Sequence, residues 1–300
     1  MSNMIEINNL TIDYGNGRGI FDFNINVKKG EAHAIVGTNG SGKTTTMRAL
    51  MGLLKAKNGN IKINNLDSWT EAKEIKKIVS YVPGEINFPD VGSGDDFLKI
   101  QRGFYGISDT TYMNKLISVF SLDTRVPLRR MSKGMKQKVA LVCAFMKDSD
   151  IILLDEPSTG LDPLMRDNMI KIINEEKKKG KTILMSSHIF KEIEDTCDKV
   201  TFINKGKVIE TIDLNELVDV SNLEYSILFN KNEEMIDFIN NNEYEIININ
   251  ENKLNIYINK NEVIELFKKL SKYTINDLEY IPYTLEKYYN ESILGGNINE

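Results

Sequence analysis

The stretch Gly37-Thr38-Asn39-Gly40-Ser41-Gly42-Lys43-Thr44 decides the reading of this 300-residue chain. It fits Gly-x-x-x-x-Gly-Lys-Thr, a loop that wraps phosphate groups. Its glycines let backbone N–H groups turn inward and approach an anion closely. Lys43 supplies a mobile point charge for the β and γ phosphates, and the Thr44 hydroxyl suits Mg²⁺. Thr45 belongs to the same phosphate-binding set. The flanks agree: Ala32 to Val36 (AHAIV) reads as a buried strand, and Thr44 to Met51 (TTTMRALM) reads as a helix. A helix start behind the loop adds partial positive charge.

Further along, Ile151-Ile152-Leu153-Leu154 reads as a strand buried on both faces, ending in Asp155 and Glu156. The C-terminal ends of such strands are where open α/β sheets bind ligands. Alternation along a strand aims the two acids differently. Asp155 is assigned to a Mg²⁺ shell and Glu156 to the general base acting on water. Taken alone, the two acids could equally cap the following loop; the upstream phosphate loop favours chemistry. A third element, Met131-Ser132-Lys133-Gly134-Met135, precedes the apolar run Val139 to Met146. Ser132 reads as an N-cap, and Gly134 leaves N–H groups open at a second anion-binding helix start.

Together these residues resemble the ATP-binding cassette, the motor of ABC transporters. The order matches: Tyr14, the phosphate loop, the signature at 131–135, the acidic strand, Ser158-Thr159-Gly160-Leu161-Asp162, then His188. The resemblance spans roughly residues 4 to 215. It implies an α/β fold, a P-loop NTPase with a RecA-like core and a helical lobe. By resemblance Tyr14 stacks on adenine, His188 contacts the γ phosphate, and Asp162 ends a loop at a dimer seam. The resemblance also implies closure as a head-to-tail dimer, homodimeric or heterodimeric. Ser132 and Gly134 then meet the ATP of the other subunit.

Two positions depart from the family. After Tyr81-Val82-Pro83, at the lid between the two lobes, Gly84 stands where the family usually has Gln, with Glu85 next. A glycine lets the backbone bend, and Glu85 is either a substitute Mg²⁺ ligand or a surface charge. In the signature, Lys133 and Met135 replace the commoner Gly and Gln. Both variants look like those of ABC-2 type exporters, whose ATPase and permease are separate chains.

Composition sets outer limits. A net charge of −5 argues against a broad nucleic-acid surface. The two cysteines, Cys143 and Cys197, read as reduced and buried. His33 reads as structural. Glu175-Glu176-Lys177-Lys178-Lys179-Gly180 reads as a solvated helix end. No apolar run approaches the roughly 18 residues that span a bilayer. Any transport path must therefore come from another chain, and the resemblance implies a place on the cytoplasmic face of a membrane, beside a transmembrane permease.

The expected domains are 1–218, with a helical lobe over about 85–148, and a small α+β domain over 219–300. Within the lobe Phe97, Ile100, Phe104 and Tyr105 fall at helical spacing and fit either lobe core or the permease groove. Asn204-Lys205-Gly206 reads as a hairpin turn. The C-terminal region reads β-α-β-β-α-β-α, with a turn at Asn252-Lys253 and Val263, Phe267 and Leu270 on one helix face.

The favoured function is an ATP-hydrolysing motor of an exporter for a peptide or hydrophobic drug, using ATP and Mg²⁺. A soluble cassette ATPase of translation or DNA repair is the runner-up. The interval of about 87 residues from Thr44 to Met131 leaves little room for the coiled coil such proteins carry. A regulatory cassette with weak hydrolysis is the third reading.

Overall fold

The computed structural model describes residues 2–218 and 222–294. It divides into two compact units, Met1–Leu214 and Asn215–Glu300. The division falls four residues before the expected boundary.

The first unit starts with β1 (Asn3–Gly15) and β2 (Arg18–Lys28), an antiparallel hairpin turned by Asn16 and Gly17, both at positive φ. Next come β3 (Ala32–Val36), α1 (Lys43–Leu50), β4 (Asn58–Ile63), β5 (Leu66–Asp67), α2 (Ala72–Ile78) and β6 (Val79–Val82). A helical stretch follows, with α3 (Gly94–Tyr105), α4 (Thr111–Val119) and α5 (Lys133–Met146). The unit ends with β7 (Ile151–Asp155), α6 (Pro163–Lys178), β8 (Thr182–Ser186), α7 (Phe190–Thr196), β9 (Lys199–Asn204) and β10 (Lys207–Asp213). A short α8 (Leu214–Val218) follows.

The central sheet has the order β10-β9-β3-β8-β7-β6. All its pairs are parallel except β9 with β10, which form the expected hairpin. Every residue of β3, β7 and β8 is buried. A parallel sheet is covered on both faces, so these strands are largely apolar, with His33 in β3 and Thr182 and Ser186 at the ends of β8 as buried polar exceptions. A second, antiparallel sheet, β2-β1-β4-β5, shares its core with α1 through Ile5, Ile7, Leu10, Phe23, Met47 and Leu50. Burying one such side chain contributes about 1.5–3 kcal/mol.

The helical stretch between β6 and β7 begins at a capping box. Ser93 Oγ accepts from Asp96 N at 3.2 Å, and Asp96 Oδ2 accepts from Ser93 N at 2.9 Å. Phe97 is buried, whereas Ile100, Phe104 and Tyr105 are exposed, so the four residues split between core and surface.

The structure corrects the reading of Glu175 to Gly180. Glu176 is fully buried, not solvated. Tyr112 Oη on α4 donates to its Oε1 at 2.5 Å, Lys179 Nζ lies 2.7 Å from Oε1, and Lys181 Nζ lies 2.6 Å from Oε2. Burial alone would raise its pKa, but these partners together hold it below the ordinary carboxylate value. A sequence window showed only the charges, not the tyrosine that arrives from α4.

The second unit contains β11 (Asn222–Phe229), α9 (Asn232–Asn240), β12 (Glu245–Asn250), β13 (Lys253–Asn259), α10 (Val263–Leu270), β14 (Ile275–Ile281) and α11 (Leu285–Tyr288). Its sheet runs β12-β13-β11-β14, all antiparallel. The element order and strand order are those of a split βαβ, ferredoxin-like unit. Ile227, Phe229, Leu254 and Ile256 pack with Met235, Phe238, Leu266 and Leu270. Two local readings shift. The turn is Glu251-Asn252, with Glu251 at φ 51°, one residue earlier than expected. On α10 Leu266 takes the core position, and Phe267 is half-exposed.

Candidate functional site

Parallel pairing brings the C-terminal ends of β3, β8 and β7 side by side, with Ile35 and Asp155 both in register with Ser186. A cleft of about 540 Å³ opens here. Asn39, Gly40, Gly42, Lys43, Thr44 and Thr45 line one side; Gly84, Glu85, Glu156 and His188 line the other. Arg48, Lys133 and Thr159 complete it.

The phosphate loop is shaped by space and by backbone angle. A Cβ on Gly37 would sit 2.3 Å from the Ile203 carbonyl oxygen, so no side chain fits. Gly42 has φ 115° and forms the N-cap of α1 without any side-chain cap. The first-turn N–H groups of α1 are therefore left for an anion. Lys43 Nζ donates to the carbonyls of Gly37 (2.7 Å) and Thr38 (3.3 Å) and lies 3.5 Å from Glu156 Oε1. Ser41 Oγ is buried without a hydrogen-bond partner, an orphan group inside the anion loop.

Asp155 and Glu156 diverge, but not by strand alternation as expected: β7 ends at Asp155, and Glu156 lies in the turn beyond it. Asp155 is fully buried; its Oδ1 accepts from Ser186 Oγ at 2.7 Å, and its Oδ2 has no partner. Glu156 leaves the strand at φ 50°, with its N–H on the Ser186 carbonyl (3.1 Å) and hydroxyl (3.0 Å). That turn swings its carboxylate to His188, whose Nδ1 lies 2.6 Å from Oε2. Tyr81, at the end of β6, has its phenol pKa pushed up, first by burial and then by the charge of Asp155. It stays neutral beside the acid.

Among the described residues no group of three His, Cys, Asp or Glu side chains could hold a metal ion. That does not exclude Mg²⁺, which is commonly held by one or two carboxylates plus substrate phosphates. The buried, unpartnered Oδ2 of Asp155 fits that role, and half-buried Thr44 lines the same cleft.

Gly84 has a different role from the one its type suggests. Its φ is not positive, so backbone freedom is not what it contributes. A Cβ there would stand 3.1 Å from Asp155 Oδ2 and 3.3 Å from Cγ. The missing side chain lets the chain after β6 lie directly on Asp155. Glu85 is exposed at the cleft wall.

The remaining predicted residues lie outside the cleft lining. Tyr14 is 56 % exposed near the tip of the β1–β2 hairpin. That hairpin reaches the phosphate loop, since a Cβ on Gly42 would stand 2.6 Å from Ile20 Cγ2. Ser132 is exposed and caps α5, its Oγ accepting from Met135 N at 3.2 Å. A Cβ on Gly134 would stand 2.4 Å from the Gly160 carbonyl oxygen, so signature and 158–162 loop touch through backbone. Asp162 caps α6, its Oδ1 accepting from Met165 N at 2.9 Å. His33 is a satisfied core residue between Glu31 and Thr201. Cys197 is buried and Cys143 only partly so, and both are free thiols.

Sequence reasoning missed Ser186, Gln137 and Glu192. Ser186 bonds both Asp155 and Glu156; buried Gln137 donates to the Pro157 carbonyl at 2.8 Å. The only available signals were a hydroxyl in an apolar strand and a polar residue on the apolar face of a helix.

Comparison with known proteins agrees with this geometry. The family model described as "ABC transporter" matches residues 20–159. The bacitracin transport ATP-binding protein BcrA of Bacillus licheniformis is 33% identical over 220 residues, covering 72% of each chain. The chain belongs to the ATP-binding subunits of ABC transporters. A lantibiotic transport ATP-binding protein, SrtF of Streptococcus pyogenes, is 32% identical over 208 residues, 69% of this chain and 89% of that one. A solved ATP-binding subunit of an ABC transporter superposes with a TM-score of 0.66 at 30% identity, covering 71% of this chain and 91% of the other. As a member of this family, the chain is an ATPase, the motor subunit of a transporter. Among its described residues no helix is long and apolar enough to cross a membrane.

Proposed function

We propose that this ATPase drives an ABC-2 type exporter and that its substrate is an amphipathic peptide or a hydrophobic drug. It works as a head-to-tail dimer on the cytoplasmic face of the membrane, bound to a separate permease. The observation that carries the hydrolytic part is the 2.6 Å contact between His188 Nδ1 and Glu156 Oε2 beside Lys43. Glu156 takes the proton of the attacking water, and His188 orients that carboxylate and meets the γ phosphate. Lys43 leaves its loop carbonyls for the phosphates, and the N–H groups at the start of α1 receive them. Thr44 and the free oxygen of Asp155 would hold Mg²⁺, which would neutralise phosphate charge. Glu85 substitutes for the missing Gln at the lid.

Two observations support the coupling. Ile100 and Phe104 on α3 are 41% and 78% exposed, an apolar face suited to a permease helix. Ser132 and Asp162 are exposed at helix starts outside the cleft, as residues serving a second subunit would be. The peptide class comes from the bacitracin and lantibiotic transport proteins among the relatives. The test is growth of cells carrying the permease in bacitracin or a lantibiotic. The wild-type chain is expected to raise the tolerated concentration and Glu156→Gln to abolish the gain. Equal tolerance with both refutes the substrate class.

A further inference from the structure

His188 is itself 65% exposed, with its ring held against Glu156. An exposed ring on a loop does not hold a 2.6 Å contact unless the loop is pinned. The pins are visible on both sides of it. Ser187 is buried, and its Oγ accepts the backbone N–H of Ile189 at 3.0 Å. One hydroxyl thus closes the chain around His188. That hydroxyl in turn donates to Glu192 Oε2 at 2.9 Å.

Glu192 is fully buried in the first turn of α7. A buried carboxylate is costly unless its surroundings satisfy it. Arg166 Nε on α6 lies 3.1 Å from Oε1 as an ion pair without hydrogen-bond geometry, and Ser158, two residues beyond Glu156, bonds the carboxylate; burial still pushes its pKa above the ordinary carboxylate value. The Glu192 carbonyl accepts Thr196 Oγ1 at 2.6 Å, which fixes the turn itself. The carboxylate therefore joins the loop after β7, the N-terminal half of α6 and the loop after β8. None of these contacts touches the cleft.

From this geometry we infer that Glu192 is a positioning residue: through Ser187 it holds His188 in contact with Glu156. The inference rests on the reading of Glu156 and His188 as the hydrolytic pair. Loss of Glu192 frees the 187–189 loop, and the imidazole drifts from Glu156. A misplacement of about 1 Å can cost up to about 10²-fold in rate. Nucleotide binding through the phosphate loop is untouched.

The test is a double-mutant cycle on the full chain, read by single-turnover hydrolysis of MgATP and by MgATP affinity in calorimetry. Glu192→Ala is expected to slow hydrolysis at least about tenfold with affinity held within about twofold. In a His188→Ala background the same change is expected to add little, because the residue it positions is gone. Ser187→Ala is expected to repeat both results and removes far less from the core. It keeps the test decisive if Glu192→Ala lowers folding yield. Equal losses in the two backgrounds overturn the inference, as does wild-type hydrolysis by Ser187→Ala. Normal hydrolysis by His188→Ala instead overturns the reading of the pair itself.

Discussion

Two helices of this chain begin at a place suited to an anion, and they begin differently. At α1 the N-cap is Gly42, no side chain closes the first turn, and the flanking Ser41 and Lys43 are buried. At α5 the N-cap is Ser132, its hydroxyl already occupies Met135 N–H, and the residue is exposed. Neither first turn carries an acidic residue. The helix-end electrostatics are therefore alike, and burial and capping separate the two. On the reading proposed above, the first end seats this chain's own nucleotide; the second exposes its cap Ser132, with Lys133 turned to the cleft, and would meet the nucleotide of a partner subunit.

That contrast sorts the expected outcomes. The largest lies on the enclosed side. Glu156→Gln is expected to lower hydrolysis by about 10²–10⁴-fold while leaving MgATP affinity in calorimetry unchanged. Lys43→Ala comes next. A charged hydrogen bond contributes about 1.5–3 kcal/mol, so MgATP affinity is expected to fall roughly tenfold to a hundredfold. Ser132→Arg, on the open side, is expected to leave the affinity of the isolated chain unaltered and to stop hydrolysis. If it weakens binding by the monomer as much as Lys43→Ala does, the contrast collapses.

Mixing sharpens it further. Ser132→Arg chains combined with Glu156→Gln chains are expected to recover activity that neither shows alone, since both lesions can share one composite site. A monomer with full activity breaks the contrast. At the lid, Glu85→Ala is expected to raise the Mg²⁺ concentration needed for hydrolysis severalfold and to weaken stimulation by the permease. An unchanged Mg²⁺ titration assigns the lid to backbone contact through Gly84. The smallest effect is that of Ser132→Ala. Loss of an N-cap costs about 1 kcal/mol, and Tm is expected to fall by about 2–4 °C with monomer affinity intact.

Parts of this arrangement were legible before any coordinates. β3 and β7 announced themselves because strands buried on both faces are written in short, mainly apolar runs. The β9–β10 turn at Lys205-Gly206 was legible because both residues adopt positive φ. The β1–β2 hairpin carried an equally good signal in Asn16-Gly17 and the alternation of Ile5 and Ile7, yet it passed unread. Glu176 and Glu192 were illegible for a different reason. Their burial depends on Tyr112, Lys181 and Arg166, partners that no local pattern names. Phe97 and Phe104 shared one helical spacing, and only packing divided them into core and surface.

The sequence by itself determined the phosphate loop, because its requirements are local: glycines where backbone must bend or approach, a lysine, and a helix start within a few bonds. It also determined the acidic strand end, because four aliphatics followed by two acids mark where a buried strand stops. Tertiary structure decided what surrounds each of them. The parallel register of β7 with β8 buries Asp155 against Ser186 and carries His188 to Glu156 from 32 residues away. It also decided what faces position 84, since the close approach to Asp155 Oδ2 exists only once β6 lies beside β7. Local backbone chemistry can be read along a chain; a distance between two strands is set only when the sheet forms.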